Sequence, residues 1–163
     1  AHPEIEKKSL LEQGAKPQGV YPQIDIYFDV PQGRLKLRQG NIENALIFYD
    51  RTNQGGPKKS NVALCRFESA EATEGVRLVL SQAHGVKVVV DKRRKILWSG
   101  NVKLHIDDVS ELGSFVEIEA ININGQFCEA ELEEHCRRFM RLLKIEDGDL
   151  VSDSYSDMLL QKT

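Results

Sequence analysis

The stretch from Val88 to Ala120 constrains the fold more than any other part of the chain. It contains three runs in which apolar and charged residues alternate, and a period of two is the pattern of a β-strand. Polar segments with glycine separate the runs, as turns do. The stretch therefore predicts three consecutive antiparallel strands, each with one apolar face and one charged face.

The charges on these strands are sorted by sign. The first strand places Lys92 and Arg94 on one face, and the third places Glu117 and Glu119 on one face, with Asp107 between them in the chain. A charged face in water is the usual outcome for antiparallel strands, and it stays open as an alternative here. Sorting by sign favours a cavity in which cations hold an anion and carboxylates hold a divalent metal.

The rest of the chain continues the alternation. Further strands are predicted at 24–28, 34–39, 45–51 and 62–68, and helices at 70–84 and 129–143, with a helical or turn segment in the tail. In a closed or nearly closed barrel the charged strand faces would line a channel. Cations brought together there would repel one another, and a ligand with several negative charges would relieve the repulsion. The six candidates are Lys36, Arg38, Arg51, Arg66, Lys92 and Arg94.

The first residues allow two interpretations. Glu4, Glu6 and Lys8 alternate as they would on a strand, whereas Pro3 and Gly14 are typical of the start and end of a short helix. Because this segment contains almost no β-branched residue, the helix is favoured.

Composition narrows the class of protein. The 163 residues fit one domain spanning 1–163, and a chain with 40% hydrophobic and 29% charged residues can form a real core. The net charge of −3 implies no general affinity for nucleic acid, and no apolar run is long enough to span a membrane. Three cysteines without metal-like spacing indicate reduced thiols in a cytoplasmic protein.

Several segments follow one another in a specific order from about residue 20 to the end of the chain. They are IDIYFDVPQGRLKLRQ, ALIFYDR, GPKKS, RFE, VVVDKRRKIL, VKLHIDDVSELGSFVEIEA and SYSDMLL. In this order they resemble the CYTH superfamily, also called triphosphate tunnel metalloenzymes, and the run from Val102 to Ala120 is the most specific match. Members of the superfamily include class IV adenylate cyclases, thiamine triphosphatases and inorganic triphosphatases.

The resemblance implies an α+β fold, an eight-stranded antiparallel tunnel-like β-barrel with flanking helices. It implies that the six cations bind a triphosphate, that Glu117 and Glu119 bind Mg²⁺ or Mn²⁺ with Asp107 nearby, and that His105 belongs to the tunnel wall. The family's first strand carries Glu-x-Glu-x-Lys. The letters at 4–8 fit, but too few residues separate them from Ile24, so that strand is expected to be absent and the barrel incomplete.

The function expected from the resemblance is metal-dependent cleavage of a triphosphate: inorganic triphosphate, thiamine triphosphate or a nucleoside triphosphate. A class IV-type adenylate cyclase and a non-catalytic polyphosphate- or nucleotide-binding protein are the alternatives, because all three need the same cationic cradle. The expected partner is a small-molecule triphosphate. The oligomeric state is open, with a homodimer as one option.

Overall fold

Seven antiparallel strands form one sheet in the computed structural model, which describes residues 3–50 and 61–163. The strand order is β4-β3-β2-β1-β5-β6-β7, and β4 and β7 do not pair with each other in the described part of the chain. The strands are β1 Lys16–Phe28, β2 Arg34–Gly40, β3 Ala45–Asp50, β4 Asn61–Arg66, β5 Val86–Ser99, β6 Val102–Val109 and β7 Gly113–Ala120. The helices are α1 Pro3–Glu12, α2 Ala70–His84, α3 Glu129–Leu142 and α4 Tyr155–Leu160.

The predicted α+β class and antiparallel tunnel-like sheet are confirmed in the incomplete form, with seven described strands rather than eight. The helical interpretation of the first residues is also confirmed, since α1 occupies them. Strand β1 begins eight residues before the predicted start at Ile24. Pro17 and Pro22 hide this extension in the sequence, because proline lacks the N–H that a strand ladder uses.

Local sequence explains where the elements end. The Ser69 side chain caps α2 by accepting a hydrogen bond from the backbone N–H of Ala72 at 3.0 Å, and Gly85 ends the helix with a φ of 76°. The turn between β1 and β2 needs glycine at position 33. Its φ is 69°, and a Cβ there would lie 3.1 Å from the Tyr49 carbonyl oxygen.

Three helices cover one face of the sheet, here called the outer face. Leu10 of α1 and Phe139 of α3 pack against Leu97 and Leu104 of the central strands, and α2 packs Val76 and Leu80 over the neighbouring part of the sheet. These contacts bury apolar side chains from every second strand position, and this burial is the main stabilising contribution to such a layer. No helix in the described part of the chain is long and apolar enough to cross a membrane.

The opposite face, here called the inner face, is lined by polar side chains and covered by α4. Leu159 of α4 packs with Tyr27, Tyr49, Val90 and Val109. Charged side chains lie on this same face beside that apolar cluster, and several of them are almost completely buried. The interpretation of a charged face in water is therefore wrong for the central strands.

Candidate functional site

Asp25 is the centre of a buried group of cations on the inner face. Its carboxylate accepts hydrogen bonds from Lys36 Nζ at 2.9 Å, from Arg38 Nε at 2.8 Å and from Lys92 Nζ at 3.3 Å. Strand register explains the convergence, because Asp25 of β1 lies opposite Arg38 of β2 and opposite Val90 of β5. Only 1% of the Asp25 side chain is exposed, so these are contacts within a nearly dry site.

The charges in this group shift one another's pKa values. Burial alone would raise the pKa of Asp25, but the nearby Lys36, Arg38 and Lys92 hold it well below the usual value for an aspartate. Burial lowers the pKa of Lys92 to about 8, although the attraction of Asp25 opposes the shift. The repulsion of Arg94, Lys36 and Arg38 adds to the lowering. Lys92 can therefore lose its proton in a mildly alkaline solution.

A second carboxylate extends the group towards the edge strand β4. Glu43 accepts from Arg38 Nη1 at 3.2 Å and lies 3.6 Å from Arg66 Nε. The Arg66 side chain is 71% exposed, which places it at the rim of the site rather than inside it. Lys36, Arg38, Arg66 and Lys92 thus share the two carboxylates of Asp25 and Glu43. An excess of positive charge remains, and this excess suits a polyanion.

Arg94 forms the second buried cluster of the inner face. Its Nε donates to Asp107 Oδ1 at 2.7 Å, and its Nη2 donates to Asp107 Oδ2 at 2.6 Å and to Glu117 Oε2 at 2.7 Å. The Tyr155 hydroxyl of α4 donates to Asp107 Oδ2 at 2.9 Å. Because Asp107 is fully buried and accepts three hydrogen bonds from Arg94 and Tyr155, its present role is to fix Arg94 and α4.

His105 lies between two carboxylates on the edge strand β7. Its Nδ1 is 3.3 Å from Glu117 Oε2, and its Nε2 is 3.9 Å from Glu119 Oε2 and has no hydrogen-bond partner among the described residues. About half of each glutamate side chain is exposed. Partial burial opposes the ionisation of Glu117, but the hydrogen bond with His105 and the charge of Arg94 hold its pKa well below the usual value for a glutamate.

The carboxylate pair on β7 fits one kind of metal site better than another. Within residues 3–50 and 61–163, no three histidine, cysteine, aspartate or glutamate side chains are arranged to hold an ion. Mg²⁺ does not need such a protein cage, since it keeps several waters and is usually bound by one or two carboxylates together with substrate phosphates. The partly exposed oxygens of Glu117 and Glu119 on one strand face match that requirement, so the residues fit a metal bound together with an anion.

The structure brings most of the sequence-predicted residues to one face but sorts them into two groups. Lys36, Arg38 and Lys92 surround Asp25, whereas Arg94 lies with Asp107, Glu117 and Glu119. Arg66 lies at the rim, and Arg51 falls outside the described residues.

Two features of the site were not anticipated from the sequence. Cations that were expected to repel one another are paired with buried carboxylates, and the main partner, Asp25, was missed. The available signal was an aspartate inside the apolar strand segment IDIYF, on the same face as Tyr27. Tyr155 of α4 was also missed, since nothing in the tail sequence links it to Asp107.

Comparisons with known proteins agree with this architecture. The profile of the CYTH domain family matches residues 2–155. A protein of known structure from Pyrococcus horikoshii OT3 superposes with a TM-score of 0.84 at 22% identity, covering 96% of this chain and 93% of its own. A conserved hypothetical protein from Pyrococcus furiosus gives 0.80 at 19% identity, covering 96% and 94%. A "putative adenylate cyclase" from Vibrio parahaemolyticus gives 0.73 at 17% identity, covering 96% and 91%. No curated protein matches the sequence at a significant level.

Proposed function

Because the chain belongs to the CYTH domain family, we propose that its inner face binds a triphosphate and cleaves it with the help of Mg²⁺ or Mn²⁺. The observation that carries the proposal is the gathering of Lys36, Arg38 and Lys92 around the single carboxylate of Asp25. Asp25 and Glu43 supply two negative charges against these three cations and Arg66, and a chain of phosphates supplies the charge that is lacking.

The positively and the negatively charged residues have different roles in the proposed site. Lys36, Arg38 and Lys92 would hold phosphate oxygens, and Arg94 lies on the next level of the same strand face, towards Glu117. A divalent ion on Glu117 and Glu119 would supply neutralisation of charge on the phosphate oxygens. The protein's own contribution is to fix these donors in advance inside a site with little water, where they act more strongly than they would in bulk solvent.

Two other functions would use the same inner-face cations. Cyclisation of ATP would need an attacking hydroxyl of the ribose in place of water, and the similarity to the Vibrio parahaemolyticus protein supports it as a candidate. Binding without turnover would use the same cations and needs no metal on Glu117 and Glu119. The three functions differ in their products, so one assay separates them.

The test is a substrate panel with purified protein and either Mg²⁺ or Mn²⁺. Tripolyphosphate, thiamine triphosphate and ATP are supplied in turn, and released phosphate, pyrophosphate and cyclic nucleotide are measured. We expect phosphate release that falls at least tenfold in Glu117→Gln and Glu119→Gln, since each change removes one charge from the proposed metal site. Glu129→Gln on the exposed start of α3 is the matched control and should keep the parent rate.

Loss of turnover without loss of anion binding in the two glutamine variants would support the metal assignment. Formation of a cyclic nucleotide from ATP would show that the reaction is cyclisation and not hydrolysis. Tight binding with no product from any substrate would show that the protein binds triphosphates without cleaving them. Full turnover in both glutamine variants would contradict the assignment of the metal to Glu117 and Glu119.

A further inference from the structure

The inner face continues beyond the proposed phosphate and metal groups to an aromatic end. On β5 the inner-face row runs from Lys92 and Arg94 through Ile96 to Trp98. Trp98 lies four positions after Arg94, which corresponds to about 13 Å along a strand. Trp98 is opposite Lys103 of β6, and Lys103 is opposite Glu119 of β7. Trp98 therefore lies on the inner face two strands from Glu119, at the end of β5 away from Asp25.

Hydrogen bonds hold two aromatic rings at this end. Trp98 Nε1 donates to the side-chain oxygen of Gln18 at 2.7 Å, and the Tyr21 hydroxyl donates to the backbone carbonyl of Gln18 at 3.1 Å. Gln18 sits in a β-bulge, because the pairing of β1 with β5 shifts register between Pro17 and Gly19. Bulges re-aim side chains near functional sites, and this one anchors both rings to a single residue.

Glycine at position 19 makes the second ring's position possible. A Cβ on Gly19 would lie 2.6 Å from the Tyr21 hydroxyl oxygen, which is closer than real contacts allow. Tyr21 is in turn opposite Arg94, so its ring stands between the phosphate groups and Trp98. The bulge thus builds a row of aromatic surface that begins next to the proposed phosphate contacts.

The Trp98 ring is also suited to a planar ligand. It is only partly buried, and Lys103 Nζ lies 5.5 Å from its centroid. Indole is the best of the side-chain rings for stacking and for cation–π contact. Among the described residues, Trp98 contacts Gln18 and Lys103 and belongs to none of the hydrophobic clusters of buried side chains.

We propose that Trp98 and Tyr21 form a subsite for a planar heteroaromatic ring, so that the substrate is an organic triphosphate of the nucleotide class rather than inorganic triphosphate. This inference rests on the proposed triphosphate site. The ring stacks on Trp98 and the phosphates lie towards Arg94 and Lys92, which are about 13 and 20 Å from Trp98 along β5. Glu117 lies level with Ile96, between Arg94 and Trp98, and Glu119 lies level with Trp98.

The test uses the fact that the chain contains a single tryptophan. Fluorescence excited at the red edge of the indole absorption, where tyrosine does not absorb, therefore reports on Trp98 alone. With EDTA present to prevent turnover, ATP and thiamine triphosphate are expected to quench or shift the emission, whereas tripolyphosphate and methyl triphosphate are expected to leave it nearly unchanged. Calorimetry on the same protein should show ATP binding at least tenfold more tightly than methyl triphosphate, since stacking of one base on an aromatic ring contributes about 10- to 100-fold.

Variants separate stacking from a structural role. Trp98→Ala should lose most of the advantage of ATP while changing the affinity for tripolyphosphate less than twofold, and Trp98→Phe should recover most of the lost affinity for ATP. Phe127→Ala removes a ring that packs against His135 of α3 and is the matched control, with no change for any ligand.

The outcomes distinguish this inference from the function on which it rests. If tripolyphosphate binds but ATP binds no more tightly than methyl triphosphate, the aromatic subsite is wrong and the triphosphate site stands. If Trp98→Ala weakens tripolyphosphate and ATP equally, Trp98 is structural and the subsite is again wrong. If no triphosphate binds, the proposed function fails and the subsite fails with it. A larger effect of thiamine triphosphate than of ATP would support the ring subsite and change the ring it prefers.

Discussion

Asp25 shows at the scale of one residue how this inner face holds positive charge without a ligand. Its carboxylate is 1% exposed and accepts hydrogen bonds from Lys36, Arg38 and Lys92. Removing one partner from a buried charged group leaves the remaining charges without compensation, which costs far more than the net contribution of the pair. Asp25 is therefore both a structural residue and the anion that the proposed ligand supplements.

Replacing Asp25 with asparagine should destabilise the ligand-free protein by about 3–5 kcal/mol, because the buried Lys92 and the partly buried Lys36 and Arg38 each lose a charged partner. Chemical denaturation measures the free energy of unfolding. Asp91→Asn, an exposed aspartate on β5, should change it by less than about 0.5 kcal/mol. Tripolyphosphate should restore part of the stability of Asp25→Asn, since the anion replaces the missing charge. Equal stability of Asp25→Asn and the parent would contradict the assignment of Asp25 as the shared partner of the three cations.

The lowered pKa of Asp25 also determines how the free energy of unfolding changes at acidic pH. A carboxyl group whose folded pKa is lowered contributes stability that is present above its unfolded pKa and is lost as the pH falls towards the folded pKa. The parent should therefore lose stability below about pH 5 more steeply than Asp25→Asn does. Urea titrations at a series of pH values measure the two slopes, and parallel profiles would contradict the assignment.

Lys92 gives a second pH dependence of the same sign in the alkaline range. Its pKa is lowered to about 8, so the folded protein releases this proton at a lower pH than the unfolded chain does. The free energy of unfolding therefore increases as the pH rises from about 8 to the ordinary lysine range. Anion binding changes in the opposite direction, because deprotonated Lys92 no longer attracts phosphate. We expect the affinity for tripolyphosphate to fall as the pH rises from 7 to 9.5.

The matched variants for this effect are Lys92→Met and Lys36→Met, which remove one inner-face cation each. Both should bind tripolyphosphate more weakly at pH 7, but only Lys92→Met should lose the change in affinity between pH 7 and 9.5. Calorimetric titrations at fixed ionic strength measure it. A parent affinity that is constant over this range would show that Lys92 does not contact the anion.

At the scale of elements, α4 is the cover of the inner face. Tyr155 reaches Asp107, Arg34 Nη2 donates to Asp157 Oδ2 at 2.6 Å, and Leu159 completes an apolar cluster with side chains from four strands. Ser154 caps the helix by accepting from the backbone N–H of Asp157 at 3.2 Å. A six-residue helix has little stability of its own, so these tertiary contacts must hold it.

Leu159→Ala should therefore destabilise the protein by about 2–5 kcal/mol, the range for truncating a buried leucine. Leu78→Ala on α2 is the control, because 49% of Leu78 is exposed and its loss should cost less than about 0.5 kcal/mol. Thermal and urea unfolding measure both. A Leu159→Ala variant as stable as Leu78→Ala would show that α4 is not held on the sheet in solution.

At the scale of the whole molecule, alternation and turn residues are enough to predict the antiparallel strands, the two long helices and the sorting of charge along β5 and β7. These features depend on local periods of two and 3.6 residues, which the sequence shows directly. Pairing partners depend on register between distant strands. For that reason Asp25, which meets Lys36 and Lys92 from two neighbouring strands, was not identified from local patterns.

The contact of Tyr155 with Asp107 and the bulge at Gln18 have the same origin. Each depends on where a distant segment lies in space, and neither has a short sequence signature. The prolines of β1 argued against a strand, yet a neighbouring strand of 14 residues pairs along most of the length of β1 and outweighs their local preference. Sequence patterns thus predicted which residues are charged and which face they share, and the structure shows which of them meet.

The central claim is that the inner-face cations bind a triphosphate, and calorimetric titration with tripolyphosphate tests it most directly. The parent protein should bind tripolyphosphate at least tenfold more tightly than orthophosphate at equal ionic strength. Arg38→Met should weaken that binding about 10- to 100-fold, since it removes charge-assisted hydrogen bonds. Arg93→Met, the same change at an exposed arginine of β5, should leave it within twofold of the parent. Equal affinity for the two anions, or equal effects of the two arginine variants, would contradict the claim.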